Sequence, residues 1–183
     1  MSAELHRRLE NLIRFGTIKA IYPAKPFTTV TVTIGEITTA KLRFLSLRAG
    51  KTKTWDPPSI DEEVMVLSPS GVLEMGVAIA GFNNADNPSP SDDLNQTIRI
   101  FEDGCLLSYD IQTHHLEAVL PSGGTARIVA DTEIVGNLHV TKGITAGEDI
   151  STLADVKAGD ISLTKHKTSG VEPGSGNSGG PIP

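Results

Sequence analysis

The feature that most limits the fold is the stretch 97–165, where apolar and polar residues alternate in short runs, mostly of four or five residues. The runs fall at 97–101, 105–109, 115–120, 126–130, 132–135, 137–141, 143–146, 149–150, 155–158 and 160–163, with Gly136, Gly143, Gly147 and Gly159 punctuating the later ones. A period of two sends alternate side chains to opposite faces of a strand. Around Glu102, Asp103 and Gly104 the first two runs carry a hairpin signal. The whole stretch reads as a stacked β-solenoid with small aliphatic residues facing inward. Each run offers only two or three inward side chains. Burying a large aliphatic group contributes roughly 1.5–3 kcal/mol, whereas ordering the backbone costs about 1–2 kcal/mol per residue. One narrow ribbon therefore cannot close its own core. Copies of the chain wound about a common axis would supply one and would pair every strand edge with a neighbour.

Upstream, residues 17–82 also follow a period of two, in runs at 17–21, 29–34, 40–45, 63–67 and 75–80. Pro23, Pro26, Gly35, Gly50, Pro57, Pro58, Pro69 and Gly71 separate them. Five short strands in about 65 residues predict a small all-β barrel, with the oligonucleotide/oligosaccharide-binding (OB) fold as leading candidate. Ahead of it, Leu5, Leu9, Leu12 and Ile13 form one apolar stripe, predicting a short amphipathic helix over residues 2–15 ended by Gly16. That helix packs on its own domain or docks on a neighbouring subunit. Residues 83–95, rich in Asn, Asp and Pro, read as a linker. The organisation predicted is a helix over 1–15, an OB-fold barrel over 16–84, a linker over 85–96, a β-helical stretch over 97–165 and a final segment over 166–183.

Charge and composition remove several functions. The net charge is −6, and the 16 Lys and Arg are dispersed instead of forming the basic stripe of a duplex binder. An OB barrel that binds single strands needs stacking aromatics on a basic face. The barrel runs supply Phe44 and little else, so no nucleic acid is expected as a partner. Cys105 is the sole cysteine, which leaves no disulfide framework and fits a reducing cytoplasm. With no run of 18 apolar residues and no signal-peptide centre, the chain is expected to be soluble when made and not to span a membrane by a helix. An enzyme needs a nucleophile, a base and an orienting group in one place. Five scattered histidines and one cysteine at a hairpin give no such set, so no catalysis is expected. His6, His114, His115 and His139 read as surface or strand residues, and adjacent His114 and His115 lack zinc spacing.

The segment 166–183 is dense in glycine and proline around one histidine. It places His166, Gly170, Val171, Pro173, Gly174, Gly176, Ser178, Gly179 and Pro181 in the pattern H-x-x-x-G-V-x-P-G-x-G-x-S-G-x-P. Upstream stand Arg48-Ala49-Gly50, then Trp55, Pro57-Pro58-Ser59, Glu62, Val64, Val66, Leu67, Gly71, Leu73 and Gly76, and then Asp86-Asn87-Pro88-Ser89-Pro90. Together these resemble the baseplate assembly protein V family, the central spike of contractile phage tails and R-type bacteriocins. The resemblance implies an OB barrel at the base, joined to the baseplate hub and tail tube. It further implies an intertwined homotrimeric shaft over 97–165 and a pointed apex over 166–183 that punctures the host outer membrane mechanically. Such a protein is made in the host cytoplasm and sits at the tip of the virion tail baseplate. Some spikes of this type carry a lysozyme domain between barrel and shaft, and the linker here is too short for one.

The resemblance also implies a metal. In the family, an H-x-H pair from each of three chains holds an iron ion octahedrally on the axis, and imidazole suits that ion. His166 matches the first histidine and Thr168 stands in place of the second. The expectation is an Fe ion at His166, against the alternative of three histidines stacked near the axis and bonded to water or backbone. Asp61 stands where the family commonly has glycine, and aspartate also tolerates a left-handed turn. Trp55 reads as a buried plug beside the double proline, with a binding role as the alternative. Arg48 could pair with a carboxylate of its own chain or of a partner. Two other readings of the chain are a trimeric fibre or adhesin stalk binding a receptor, and an OB-fold binding module. An adhesin needs a globular or aromatic-bearing tip, which 166–183 does not supply.

Overall fold

The computed structural model describes residues 2–165 and Gly174. A short helix, α1 (Ala3–Glu10), leads into β1 (Ile13–Tyr22), β2 (Thr29–Ile34), β3 (Ile37–Thr38), β4 (Leu42–Phe44), β5 (Glu63–Leu67) and β6 (Val77–Ala80). β1 is long enough to serve two neighbours. Its first half pairs antiparallel with β5, from Ile13 opposite Leu67 to Thr17 opposite Glu63. Its second half pairs with β2, from Thr17 opposite Thr33 to Tyr22 opposite Thr29. The register slips between Ile18 and Ala20, a bulge that bends the strand from one partner to the other. The order β1-β5-β6-β4-β2 then returns to β1, and this closes a five-stranded, OB-like barrel in which only β4 and β6 run parallel. β3 adds a two-residue hairpin arm to β2 across Gly35.

The barrel is filled from the alternation that predicted it. Ile18, Val30, Val32, Ile34, Leu42, Val64, Val66 and Ala78 form the buried core, with Ile21, Phe44 and Leu73 packed on it. β-branched residues dominate because their branched side chains pack well on a pleated surface. Thr39 is buried as well and completes the β2 edge: its Oγ1 accepts from the Val32 N–H at 3.0 Å, and its own N–H donates to the Val32 carbonyl at 2.9 Å. Asp61 takes the left-handed conformation expected of it, with φ 66°.

The helix is shorter than the apolar stripe predicts. Ser2 Oγ accepts from the Leu5 N–H at 3.2 Å to start it, and Asn11 caps it by donating to the Arg7 carbonyl at 3.1 Å. Leu12 and Ile13 leave the helix because the β5 ladder offers Ile13 to Thr17 a full set of partners, which outweighs one more turn of a marginal helix. Gly16 is therefore no helix stop. It lies inside β1 against β2, where a Cβ would sit 2.8 Å from Val32 Cγ1 and 2.9 Å from Ile34 Cγ1. No residue of α1 is buried, and Leu5 and Leu9 remain about half exposed. The helix rests on its own domain, over the 3-10 turn Pro69–Gly71, where Gly71 lies directly beneath the Arg8 backbone. Glu4 accepts from both Arg7 and Arg8, and these bonds, Arg7's first, hold its carboxyl down at about 2.

Beyond the barrel, residues 81–95 form no strand, and Asn84 organises their start by donating to Glu63 and accepting from the Asp86 and Asn87 N–H groups. A three-stranded antiparallel meander follows: β7 (Gln96–Ile100), β8 (Leu106–Asp110) and β9 (His115–Val119). The predicted hairpin at Gly104 is present, with φ 85° at the glycine and Ile100 opposite Leu106. At the next turn the Asp110 carboxylate accepts from the Gln112 and Thr113 N–H groups, each at 2.8 Å. The Thr113 N–H is the main cause of a carboxyl held below its ordinary 3.8. A depressed folded value means that the turn gains stability above pH 3.8 and loses it as pH falls through the lower, folded value. The Thr113 amide resonance is accordingly expected to stay constant down to pH 3.8 and to shift only below it. In Asp110→Asn, which keeps the acceptor oxygen and loses the charge, that acid shift should vanish.

The chain separates into two compact units, residues 1–126 and 127–183. From the boundary onward, the runs predicted at 126–130, 132–135, 137–141 and 143–146 form no strands in a single chain. The described strands resume only at β10 (Lys157–Ala158) and β11 (Ile161–Ser162), which pair antiparallel around Gly159. The single chain thus shows no ladder of stacked runs between β9 and β10. No helix among the described residues is long and apolar enough to cross a membrane.

Candidate functional site

Two surfaces stand out, one in each unit. Among the described residues of the second unit, many aliphatic side chains are largely exposed. Val135 is 91% exposed and Leu153 is wholly exposed, and Ile128, Ile144 and Ile150 are close to three-quarters exposed. Singly exposed aliphatic residues are common on proteins, but a repeated set along one segment is a candidate interaction surface. The segment ends in an ordered knot. Leu163 N–H donates to the Val156 carbonyl at 2.9 Å, and the Asp155 carboxylate accepts from the Thr164 N–H at 3.2 Å and its hydroxyl at 3.0 Å. The Ser162 hydroxyl, first, and these Thr164 groups hold the Asp155 carboxyl below its ordinary range. Sequence reading missed Asp155; the signal was an aspartate spaced to reach back across a two-residue hairpin.

The second surface lies on the barrel. Trp55 is not the buried plug expected beside the double proline: the indole is 67% exposed, and the residue buried there is Pro58. The aliphatic strand residues already fill the barrel, so the loop 46–55 arches outside it. Three bonds fasten the arch: Ser46 Oγ to the Thr54 carbonyl, Arg48 N–H to Thr54 Oγ1, and Thr54 N–H to the Arg48 carbonyl. The ring consequently rests against Phe44 from outside, with centroids 6.1 Å apart. Beside it opens a cavity of about 530 Å³ whose wall includes Phe27, Arg43, Leu45, Arg48, Lys53 and Trp55. The Arg43 guanidinium sits 6.0 Å over the Phe27 ring, and no carboxylate lines the space. Among the described residues no carboxylate pairs with Arg48. The acid nearest in sequence, Asp56, is taken by Arg99 at 2.6 Å. The basic residues of this loop read as dispersed in the sequence; their close grouping at Arg48, Lys51 and Lys53, just before Trp55, was the signal.

His166 and the rest of the predicted apex, except Gly174, lie outside the described residues, so no geometry attaches to the expected metal site. The other histidines are accounted for. His6 faces Glu10 at 3.1 Å, His114 takes φ 57° in the β8–β9 turn, His115 opens β9 opposite Asp110, and His139 is exposed. Among the described residues no three of His, Cys, Asp or Glu converge as metal ligands would.

Comparison with known sequences bears on both surfaces. The family model for the type VI secretion system/phage-baseplate injector OB domain matches residues 14–82, and that for the GpV apex motif matches residues 160–181. The chain is also similar to the spike protein of Escherichia phage P2, at 33% identity over 138 residues. The aligned part is 75% of this chain and 63% of that protein, so the chain spans somewhat less than two thirds of the relative's length.

Proposed function

We propose that this chain, which matches the injector OB domain over residues 14–82 and the GpV apex motif over residues 160–181 and is similar to a phage spike protein, is the membrane-piercing spike of a contractile tail. In this reading the barrel is the base and associates with hub and tail-tube proteins of the baseplate. Residues 97–165 of three copies wind into one shaft. The apex over 166–183 points at the host, at the tip of the virion tail. Sheath contraction drives the tip through the outer membrane, and the work is mechanical, with no catalytic residue.

The observation that carries this reading is the row of exposed aliphatic residues from Ile128 to Leu163 in a segment with no strand partners of its own until β10. Wound together, three such ribbons would bury those side chains and pair their backbone edges, removing both costs at once. A thread saturated with inter-chain hydrogen bonds resists compression and ends narrowly, so it concentrates a load. Iron is the ion that the family resemblance implies. The donors on offer are three His166 imidazoles, one per copy, with water completing the octahedron where Thr168 replaces a second histidine. Such an ion would cross-link the three tips.

Sedimentation equilibrium and velocity on the purified chain, with metal analysis of the same sample, test the proposal. An elongated trimer holding one iron per three chains is expected, and His166→Ala should release the iron and leave the trimer intact. A trimer free of iron would discard the metal site and keep the piercing role. A compact monomer would discard both.

A further inference from the structure

Resting on the reading that copies of this chain assemble, we propose that Leu94 of one copy, carried on its acidic turn, seats in the cationic aromatic groove of a neighbouring copy's barrel. Leu94 is 96% exposed, yet it does not sit on a loose loop. Ser91 Oγ accepts from the Asp93 N–H at 3.1 Å, Asp93 Oδ1 accepts from the Asn95 N–H at 2.9 Å, and the Gln96 N–H donates to the Asp93 carbonyl at 3.2 Å. This turn presents a leucine outward immediately after two carboxylates, Asp92 and Asp93. Neither carboxylate is ion-paired among the described residues.

The groove is the complement in both respects. Phe27, Leu45 and Trp55 offer apolar walls, and Arg43, Arg48 and Lys53 ring them with positive charge and no carboxylate. In a chain of net charge −6 this is a local reversal of sign, which selects an acidic occupant. Its volume of about 530 Å³ accommodates a leucine side chain together with its flanking backbone. The exposure of Leu94 shows that it does not fill the groove of its own copy. A turn of one copy in the groove of the next is a heterologous contact, and repeated about a rotation axis it closes a ring with every turn and every groove used. The contact would fasten the base of the shaft to the barrels, at the point where the linker enters β7.

The test uses full-length chains in a Cys105→Ser background, one carrying Leu94→Cys and the other Ala49→Cys, since Ala49 also lines the groove. Co-expressed in equal amounts and oxidised, they are expected to give up to about half of the chain as a covalent pair, the ceiling for random mixing in a ring, while either alone gives none. Asp92→Lys in the first chain should lower that yield several-fold, and Lys53→Glu in the second should restore it. Sedimentation of the same samples separates the ways to fail. An intact assembly without covalent pairs overturns the docking alone and leaves the groove to another baseplate protein. A disulfide confined to one chain, in a variant carrying both cysteines, also overturns it. Monomers overturn the docking together with the assembly on which it rests.

Discussion

A chain carrying both Val135→Asp and Leu153→Asp is expected to sediment as a monomer while its barrel melts where the native barrel does. In the single chain both side chains are fully or almost fully exposed, and exposed substitutions usually change stability by less than about 0.5 kcal/mol. If the chain worked alone, the double variant would therefore be silent. In a shared core the same change puts two carboxylates per copy into an apolar thread, and each unpaired buried charge costs several kcal/mol. Those costs add over all copies, far beyond what a narrow ribbon can offset. The barrel should be indifferent, because among the described residues the buried hydrophobic core lies between Ile18 and Ala78. Sedimentation velocity reads the first half of the outcome and a thermal melt the second. Native-like sedimentation of the variant would show that these side chains do not meet in a common core.

Gly71→Ala is expected to damage the barrel severely, costing about 3 kcal/mol and lowering its midpoint by roughly 10–20 °C. Two terms act at one position. The backbone there has φ +68°, which costs an L side chain about 1–2 kcal/mol. A Cβ would also overlap the Arg8 backbone, 2.6 Å from its Cα and carbonyl carbon, so α1 must lift from the Pro69–Gly71 turn. Gly50→Ala is the control, since a Cβ there meets nothing within 4 Å, and its midpoint should match the native one. Equal midpoints for the two variants would mean that α1 is not seated as described.

The legibility of this chain follows from the range of the forces involved. β2 and β5 were read to the residue at 29–34 and 63–67, because β-branched alternation between turn formers is a local signal. The left-handed Asp61 and the Gly104 hairpin were legible for the same reason. The end of α1 was not: the stripe through Leu12 and Ile13 is as good a helix as the turns before it, and it yields only because β5, some fifty residues away, offers a ladder. Trp55 was misread because a single indole beside prolines carries no sign of whether the space inside the barrel is already taken. The groove escaped notice because Phe27 and Arg43 come from other parts of the barrel than the arch that carries Arg48, Lys53 and Trp55.

The amino-acid sequence alone carried the all-β class, the barrel, the short alternating runs beyond it, and an apex pattern that resembles the one in baseplate spikes. Each of these is written in periodicity, turn residues or motif spacing, which act over a few positions. Only the tertiary structure decided that Gly16 lies inside a strand and Gly71 under a helix, that Trp55 faces out, and that three cations share a groove with aromatic rings. These depend on which distant residues already occupy the available space, and close packing settles that only once the barrel has closed.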